Sequence, residues 1–372
     1  MNRKILLIGN KGLKANINDG QTIKVRLYMK KIQDEGFDID FIDLENFTKK
    51  PIRVLRKIKK AIPLCDRIVL ITAERGTKLL VPLINKWNKK YNKPFVLPLV
   101  GSGILHYAID NLGDKEKYDF LVNGKYSFTK PSKKLSKQFK KITYILAETD
   151  LLTKVCREFY GLNNVYTLNN FRERSLERML SKDYSKPLKL CFLSRVMKMK
   201  GILDLMKVVH EINSNGQVLS LDIYGKKLLS NDEEAVFNKF LDKKIIRYKG
   251  LVEYSQVIPT ISKYDLFVFP TRFLYEGVPG VIVESLLAGT PILTSNFPQV
   301  YQILVDGKDS MMFSLGSEHD LKDKLEFLAK NTNVLDSLRK EAIKSSGKFV
   351  YDFERKKFLN FVCGLDINNK HK

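Results

Sequence analysis

Two glutamates, Glu276 and Glu284, lie eight positions apart in the stretch YEGVPGVIVESLLAGTP. An apolar run precedes them and has the composition of a buried strand, YDLFVFPT. Because proline favours the first position of a helix and glycine the residue just beyond its end, we predict a helix that begins at Pro279 and ends before Gly289, followed by a second strand. The stretch therefore predicts a strand, loop, helix, strand unit whose loop and helix present two carboxylates.

The start of this predicted helix is a candidate phosphate site. The first N–H groups of a helix have no partners within it, and they carry a partial positive charge. Glu276 precedes that turn, and Glu284 lies about 7 Å further along the axis with its side chain leaning back toward the start. A bound nucleotide sugar could contact both carboxylates, one near the sugar and one near the ribose. Alternatively, the two acids only complement the helix dipole or face solvent, and the spacing alone does not decide between these interpretations.

A second candidate is the pair of cations in SRVMKMKG. Arg195 ends a predicted strand, and Lys200 precedes Gly201 at the start of the next predicted helix. Arginine can donate two hydrogen bonds to phosphate oxygens and lysine adds a point charge, so the pair could neutralise a diphosphate. In so lysine-rich a chain, the pair can also be incidental.

The N-terminal half offers weaker signals. The first loop lacks G-x-G-x-x-G, which disfavours a dehydrogenase. Gly20, Gln21 and Thr22 stand at the start of a predicted helix and could bring backbone amides close to a ligand, or they could form only a cap and a turn. His106 follows a glycine-rich loop, and a lone histidine is more often structural than catalytic.

Composition limits the class of protein. The chain has 372 residues, 44% of them hydrophobic and 28% charged, which suits two globular domains. The opening apolar run is too short for a signal peptide, and no run approaches the 18 residues of a membrane span. The four cysteines form no disulfide framework, which favours a reducing cytoplasm, and the four histidines are scattered, so no metal site is expected.

The net charge of +24 is concentrated in residues 1–180. Within this half, KKPIRVLRKIKKAI (49–62) places Ile52, Leu55, Ile58 and Ile62 at helical spacing among lysines and arginines. A basic amphipathic helix is typical of proteins that bind an anionic membrane surface. The alternative is simple solvation of the lysines, and the absence of an aromatic-interleaved basic motif disfavours nucleic acid.

Strand-like runs alternate with amphipathic stretches throughout, as in parallel α/β sheets. We predict eleven strands, near 4–10, 38–44, 67–72, 94–101, 144–149, 164–170, 188–195, 219–225, 245–250, 265–271 and 291–295. A polar segment, RERSLERMLSKDYSKP (172–187), separates two such series, and we predict that it is the linker between two domains. We predict two doubly wound domains, at 1–178 and 186–347, and a C-terminal helix within 348–372. Such folds bind ligands at the carboxyl ends of their strands, which would here face a cleft between the domains.

Together these motifs resemble the retaining nucleotide-sugar glycosyltransferases of the GT-B fold, specifically glycosyltransferase family 4 of the bacterial capsule and exopolysaccharide type. EGVPGVIVESLLAGTPILTS resembles the family's E-x7-E signature, and SRVMKMKG resembles its Arg-x4-Lys-Gly diphosphate motif. In the N-terminal half, DGQTIK, GSGILH, AET and LNNFRER resemble weaker motifs. Ser194 and Met199 depart from the residues common in the family, which leaves the donor open but removes no charged ligand.

The resemblance implies a role for each candidate. Arg195 and Lys200 would hold the donor diphosphate and stabilise the leaving nucleotide, a role that metal ions play elsewhere. Glu276 would orient the donor sugar, and Glu284 would bind the ribose. His106 would contact the 6-hydroxyl of the donor sugar. Further donor contacts are expected from residues of the two helix starts: Gly20, Gln21, Thr22, Gly277, Val278, Pro279, Gly280 and Val281.

The resemblance also implies the reaction and the partners. Two Rossmann-like domains would face each other across the cleft, with the acceptor on the first domain and the tail helix crossing back to it. A hexosyl group would pass with retention, by same-face attack, from a UDP-sugar, or alternatively a GDP-sugar, to a lipid-linked saccharide in surface polysaccharide biosynthesis. No cofactor is expected, and the protein would be cytoplasmic and peripheral at the inner face of the plasma membrane. Two alternatives keep the fold: a non-catalytic scaffold for membrane or partner enzymes, and a nucleotide-sugar epimerase.

Overall fold

The structure is a computed structural model that describes residues 3–12, 19–103, 133–174, 183–242 and 244–365. His106 lies outside these ranges. The chain divides into two compact units. The first comprises Met1–Asn170 and Tyr351–Lys372, and the second comprises Phe171–Val350.

The first unit contains a sheet of six parallel strands. Their order across the sheet is β2-β1-β3-β4-β5-β6. The strands are β1 (Lys4–Gly9), β2 (Asp38–Asp43), β3 (Arg67–Ile71), β4 (Phe95–Pro98), β5 (Tyr144–Ala147) and β6 (Val165–Thr167). Its helices up to Asn170 are α1 (Gly20–Asp34), α2 (Pro51–Ala61), α3 (Glu74–Asn88), α4 (Lys133–Phe139) and α5 (Asp150–Tyr160).

The second unit contains another sheet of six parallel strands. Their order is β12-β11-β10-β7-β8-β9. The strands are β7 (Leu188–Leu193), β8 (Leu219–Tyr224), β9 (Ile246–Gly250), β10 (Leu266–Phe269), β11 (Ile292–Ser295) and β12 (Met311–Phe313). Its helices are α6 (Ile202–Ile212), α7 (Asn231–Phe240), α8 (Val257–Ile261), α9 (Gly280–Ala288), α10 (Glu318–Lys330) and α11 (Thr332–Ser345).

The C-terminal segment forms α12 (Tyr351–Phe358), which a π-helical turn at Leu359–Cys363 continues. Tyr28 of α1 packs edge-on against Phe358, with ring centroids 5.1 Å apart. On the same helix, Arg355 donates two hydrogen bonds of 2.6 Å to Glu35, just after α1. The helix is thus part of the first unit.

The strands follow from the apolar runs of the sequence. Strands covered by helices on both faces bury every side chain, and β10 and β11 are buried along their whole lengths. The predicted class, two doubly wound parallel α/β domains, is confirmed.

The chain crosses between the units earlier than the sequence indicated. The polar segment at 172–187 was expected to be a linker, but Phe171 and Arg172 are buried within the second unit. The backbone N–H of Arg172 donates to the carbonyl of Phe349 at 2.8 Å, which holds the two ends of this unit side by side. The first residue of the polar segment, Arg172, is therefore not part of an exposed linker, although the composition of the segment predicted one.

Candidate active site

Two loops of the second unit meet at the carboxyl ends of β7 and β10, which are neighbours in the sheet. The first loop runs to Lys200 and Gly201, and the second begins at Pro270. The backbone N–H of Arg272 donates to the carbonyl of Met199 at 2.9 Å. Gly201 has a φ of 71°, and a Cβ there would lie 1.8 Å from the carbonyl oxygen of Pro270. Only glycine allows this approach, which brings the cationic motif beside the glutamate motif.

Lys200 and Glu276 form an ion pair between Nζ and Oε1, and both residues are buried. The hydroxyl of Thr271 donates to the same Oε1 at 2.8 Å. The ammonium also lies over the rings of Phe269 and Phe273, at 5.3 and 5.9 Å from their centroids. The lysine expected at the diphosphate and the glutamate expected at the sugar are therefore adjacent.

Arg195 differs from Lys200 in its surroundings. It follows β7 and is exposed, and no hydrogen bond or ion pair joins its guanidinium to the rest of the described chain. It is therefore available to an anion at this edge of the sheet.

Glu284 is not on a solvated face. From Ile282 to Ala288 every residue of α9 is buried, as in a helix that is apolar all round. The carboxylate accepts a hydrogen bond of 2.8 Å on Oε1 from Nε of Arg172, and both side chains are buried. The alternative that Glu284 decorates a solvent-facing helix surface is therefore wrong.

The start of α9 lies one residue later than expected. Pro279 is the N-cap, with an extended backbone at φ −60° and ψ 123°, and Gly280 is the first helical residue. In the loop before it, Val278 is buried in the core, while Gly277 is half-buried, as are Gly280 and Val281 in the first turn. The glycines thus leave backbone, rather than side chain, at this helix start.

A further ion pair holds the second loop. Nε of Arg272 lies 2.5 Å from Oδ2 of Asp204 in the first turn of α6. Burial raises the pKa of Asp204 above its usual value, and Arg272 opposes that rise. The pair fixes the loop that carries Thr271 and Glu276.

In the first unit, the loop before α1 forms the cap that the sequence left as an alternative. The N–H of Thr22 donates to Asp19 Oδ1 at 2.9 Å, and the N–H of Asp19 donates to the Thr22 hydroxyl at 3.2 Å. Gln21 accepts a hydrogen bond of 3.1 Å from the N–H of Ala73. Gly20 is exposed, and a Cβ there would meet nothing within 4 Å. These contacts are structural, and a ligand role for the three residues stays a prediction.

Within the described ranges, no group of three or more histidine, cysteine, aspartate or glutamate side chains is placed to hold a metal ion. The same part of the chain contains no helix that is long and apolar enough to cross a membrane.

Two residues of this candidate site, Thr271 and Arg172, were not predicted from the sequence. Thr271 ends an apolar run and gave no chemical signal by itself. Arg172 stood in the polar segment taken as a linker, although it lies in LNNFRER, one of the weaker motifs. Its partner Glu284 is 112 positions away, so only the fold shows the pairing.

Residues 175–345 match the family model of Glycosyl transferases group 1. The match covers just under half of the chain and contains Arg195, Lys200, Glu276 and Glu284. It supports the predicted resemblance for the second unit.

Curated relatives agree with this match. The UDP-N-acetylglucosamine–peptide N-acetylglucosaminyltransferase GtfA subunit of Streptococcus pneumoniae is 27% identical over 167 residues, covering 43% of this chain and 31% of that protein. The capsular polysaccharide biosynthesis glycosyltransferase CapM of Staphylococcus aureus is 24% identical over 173 residues, covering 46% and 43%. The 2-deoxystreptamine N-acetyl-D-glucosaminyltransferase of Niallia circulans is 22% identical over 264 residues, covering 69% and 66%. The match thus covers less than half the length of the first two of these relatives.

Solved structures resemble the whole chain. HepE from Anabaena, in complex with UDP-glucose, superposes with a TM-score of 0.70 at 12% identity, covering 97% of this chain and all of that one. Sucrose-phosphate synthase from Thermosynechococcus elongatus gives a TM-score of 0.73 at 12% identity, covering 97% and 98%. These likenesses show that the chain has the GT-B fold.

Proposed function

We propose that this protein is a glycosyltransferase that transfers a hexosyl group from a nucleotide sugar to a saccharide acceptor. The observation that carries the proposal is the buried pair of Lys200 and Glu276 beside the start of α9. The pair brings a cation for a leaving phosphate within contact of a carboxylate that can accept from sugar hydroxyls. The family match over the same residues supports this reading.

We propose a UDP-sugar as the donor, with a GDP-sugar as the alternative. HepE, whose fold is similar, has been crystallised with UDP-glucose. In this chain, Arg195 and Lys200 would contact the diphosphate, together with backbone N–H groups near Gly280 at the start of α9. Glu284 would bind the ribose, and no metal ion or other cofactor would be needed.

We further propose transfer with retention, as in glycosyltransferase family 4. The bond between the anomeric carbon and the diphosphate breaks, and the acceptor hydroxyl forms the new bond on the same face of the sugar. The proton of the acceptor hydroxyl passes to the departing phosphate oxygen. Arg195 and Lys200 stabilise the negative charge on that oxygen. His106 would contact the sugar, and Gly20, Gln21 and Thr22 would lie near the donor. The first unit would bind the acceptor.

The proposed acceptor is a lipid-linked saccharide in surface polysaccharide biosynthesis, at the inner face of the plasma membrane. CapM supports this setting, because its name places it in capsular polysaccharide biosynthesis. The basic face of α2 would hold the protein there as a peripheral protein.

Arg195→Ala is the sharpest test of transfer, because this exposed side chain can be removed without disturbing a buried contact. Lys198→Ala, an exposed cation three residues on, is the matched control. A screen of UDP-, GDP- and ADP-sugars for thermal stabilisation first identifies the donor, since saturating ligand stabilises by about 2.7 kcal/mol at a hundred times Kd. Transfer to lipid-linked saccharides is then measured.

We expect Arg195→Ala to lose roughly a hundredfold or more in kcat, the usual effect of removing one group that stabilises developing charge. Lys198→Ala should retain activity. Full activity of Arg195→Ala would contradict the proposal. Release of a free epimerised sugar without acceptor would indicate an epimerase, and failure to bind any nucleotide sugar would indicate a scaffold.

A further inference from the structure

Arg172 is held on several sides within the second unit. Only 2% of the residue is exposed. Its backbone N–H donates to Phe349 at 2.8 Å, its Nη1 donates to the carbonyl of Phe171 at 2.9 Å, and its Nε donates to Oε1 of Glu284 at 2.8 Å. Backbone and side chain are thus both fixed, and the guanidinium has a defined direction.

The guanidinium also lies against the start of α9. A Cβ on Gly280 would come within 1.8 Å of Nη2 of Arg172 and 3.7 Å of Oε1 of Glu284. The missing side chain of Gly280 therefore makes the room in which the arginine reaches the glutamate. These contacts join the first residue of the helix to the carboxylate one turn further along.

The carboxylate is only partly used by this contact. Arg172 occupies Oε1, while Oε2 has no hydrogen-bond donor among the described residues. A charge-assisted hydrogen bond on one oxygen fixes the orientation of a carboxylate and leaves lone pairs on the other for a ligand. Lysine would hold the carboxylate less well, because its ammonium lacks the planar geometry of a guanidinium.

We propose that Arg172 is a positioning residue for ribose recognition, which directs Oε2 of Glu284 toward the ribose hydroxyls of the nucleotide sugar. The inference rests on the proposed function, because it takes Glu284 as the ribose contact. It adds a residue from the start of the second unit that acts through Glu284 and does not itself touch the ribose.

The test compares the affinities of UDP and 2′,3′-dideoxy-UDP by calorimetry, because only UDP carries the hydroxyls in question. The proteins are the wild type, Arg172→Met, Arg172→Lys and the control Arg247→Met. Arg247 also donates through Nε to a carboxylate of the second unit, Asp222, at 2.6 Å. Arg172→Lys keeps a cation beside the Glu284 carboxylate and serves if Arg172→Met does not fold.

We expect the wild type to bind UDP about tenfold more tightly than the dideoxy nucleotide, as a hydrogen bond to a charged group would give. Arg172→Met should lose this preference while binding the dideoxy nucleotide as the wild type does. Arg172→Lys should retain part of the preference and Arg247→Met all of it.

Two results would overturn the inference and leave the proposed function standing: a wild type that binds both nucleotides equally, or an Arg172→Met or Arg172→Lys variant that keeps the full preference. An equal loss of affinity for both nucleotides would also overturn it, since Arg172 would then act on the diphosphate or the fold. If the wild type binds neither UDP nor any nucleotide sugar, the proposed function itself fails.

Discussion

The ammonium of Lys200 and the carboxylate of Glu276 are both removed from water, so each supplies the charge that the other requires. A buried charge is costly unless it is paired and hydrogen-bonded. The pair therefore has two functions to separate: it stabilises the loops at the ends of β7 and β10, and in our proposal it contacts the donor.

Substituting one partner and then both separates these functions. Lys200→Met leaves the Glu276 carboxylate buried without its cation, which should cost about 3–5 kcal/mol of unfolding free energy. Lys200→Met/Glu276→Gln removes both charges and should recover most of that loss. Urea-induced unfolding followed by circular dichroism measures both variants.

Sugar transfer should be lost in both variants, including the double variant that has regained its stability. A double variant with wild-type transfer would show that the pair serves the fold alone. If Lys200→Met is as stable as the wild type, the Glu276 carboxylate costs little without its cation, and the pair does not stabilise the loops.

At the scale of the elements, the approach of the two loops depends on Gly201. Gly307 has the same φ of 71°, but a Cβ there would meet nothing within 4 Å. Gly307→Ala should therefore cost only the left-handed backbone penalty, about 1–2 kcal/mol. Gly201→Ala adds the clash with the Pro270 carbonyl and should cost roughly 1–3 kcal/mol more.

Thermal and urea unfolding of the two alanine variants give these free energies side by side. Because the backbone angle is matched, the difference between them reports the packing of the loops. Equal losses would mean that the loops can separate without cost, and the observed approach would then not position Lys200.

The last helix carries an acid that should make stability depend on pH. Glu354 of α12 is fully buried, and Nδ2 of Asn169 donates to its Oε1 at 2.9 Å. Burial raises the pKa of this carboxyl above its ordinary value of 4.5, while Lys357 opposes the rise. The folded protein therefore holds this proton more tightly than the unfolded chain does.

Stability should consequently fall as the pH rises through 4.5 and on through the raised pKa of Glu354, since the unfolded chain releases the proton first. Glu354→Gln keeps an acceptor for Asn169 and removes the titration. Its free energy of unfolding relative to the wild type should rise between pH 4 and 7 and be flat below. Urea unfolding across this range measures the difference, and a difference independent of pH would contradict the assignment.

For the molecule as a whole, the sequence predicted the strands and the two domains more completely than it predicted the contacts between side chains. Strand-like runs indicated eleven of the twelve described strands. The signal is clearest for strands such as β10 and β11, which are apolar because both of their faces are buried. Met311–Phe313 was not predicted, because these three residues stand between polar residues, Asp309 and Ser310 before them and Ser314 after them.

The ion pairs of the site could not be predicted, for a physical reason. Lys200 and Glu276 are 76 positions apart, and Arg172 and Glu284 are 112 apart. Spacing predicts neighbours only within one element, whereas these partners meet because strand order places their loops together. The motifs predicted which residues form the site, and the fold decides which of these residues are in contact.

The distribution of charge over the first unit supports the proposed membrane binding and can be tested directly. In α2, Ile58 is buried in the core, as is Ile62 just after the helix, while Ile52 is 64% exposed. The apolar side that the sequence indicated is thus used mainly for packing. What faces solvent is a basic surface: Arg53, Arg56, Lys57, Lys59 and Lys60.

Reversing three of these charges, with Lys57, Lys59 and Lys60 changed to Glu, should weaken binding to phosphatidylglycerol vesicles roughly tenfold or more, because juxtaposed lysines are attracted to anionic lipid. In the matched control, three exposed lysines of the second unit, Lys239, Lys249 and Lys340, are likewise changed to Glu. This control should bind the vesicles as the wild type does. Cosedimentation with these vesicles and with neutral phosphatidylcholine vesicles measures both. Equal binding of the two triple variants would assign the attraction to net charge rather than to α2. Binding that persists on neutral lipid would point to apolar contact through the exposed Ile52 and Leu64 at the ends of this surface.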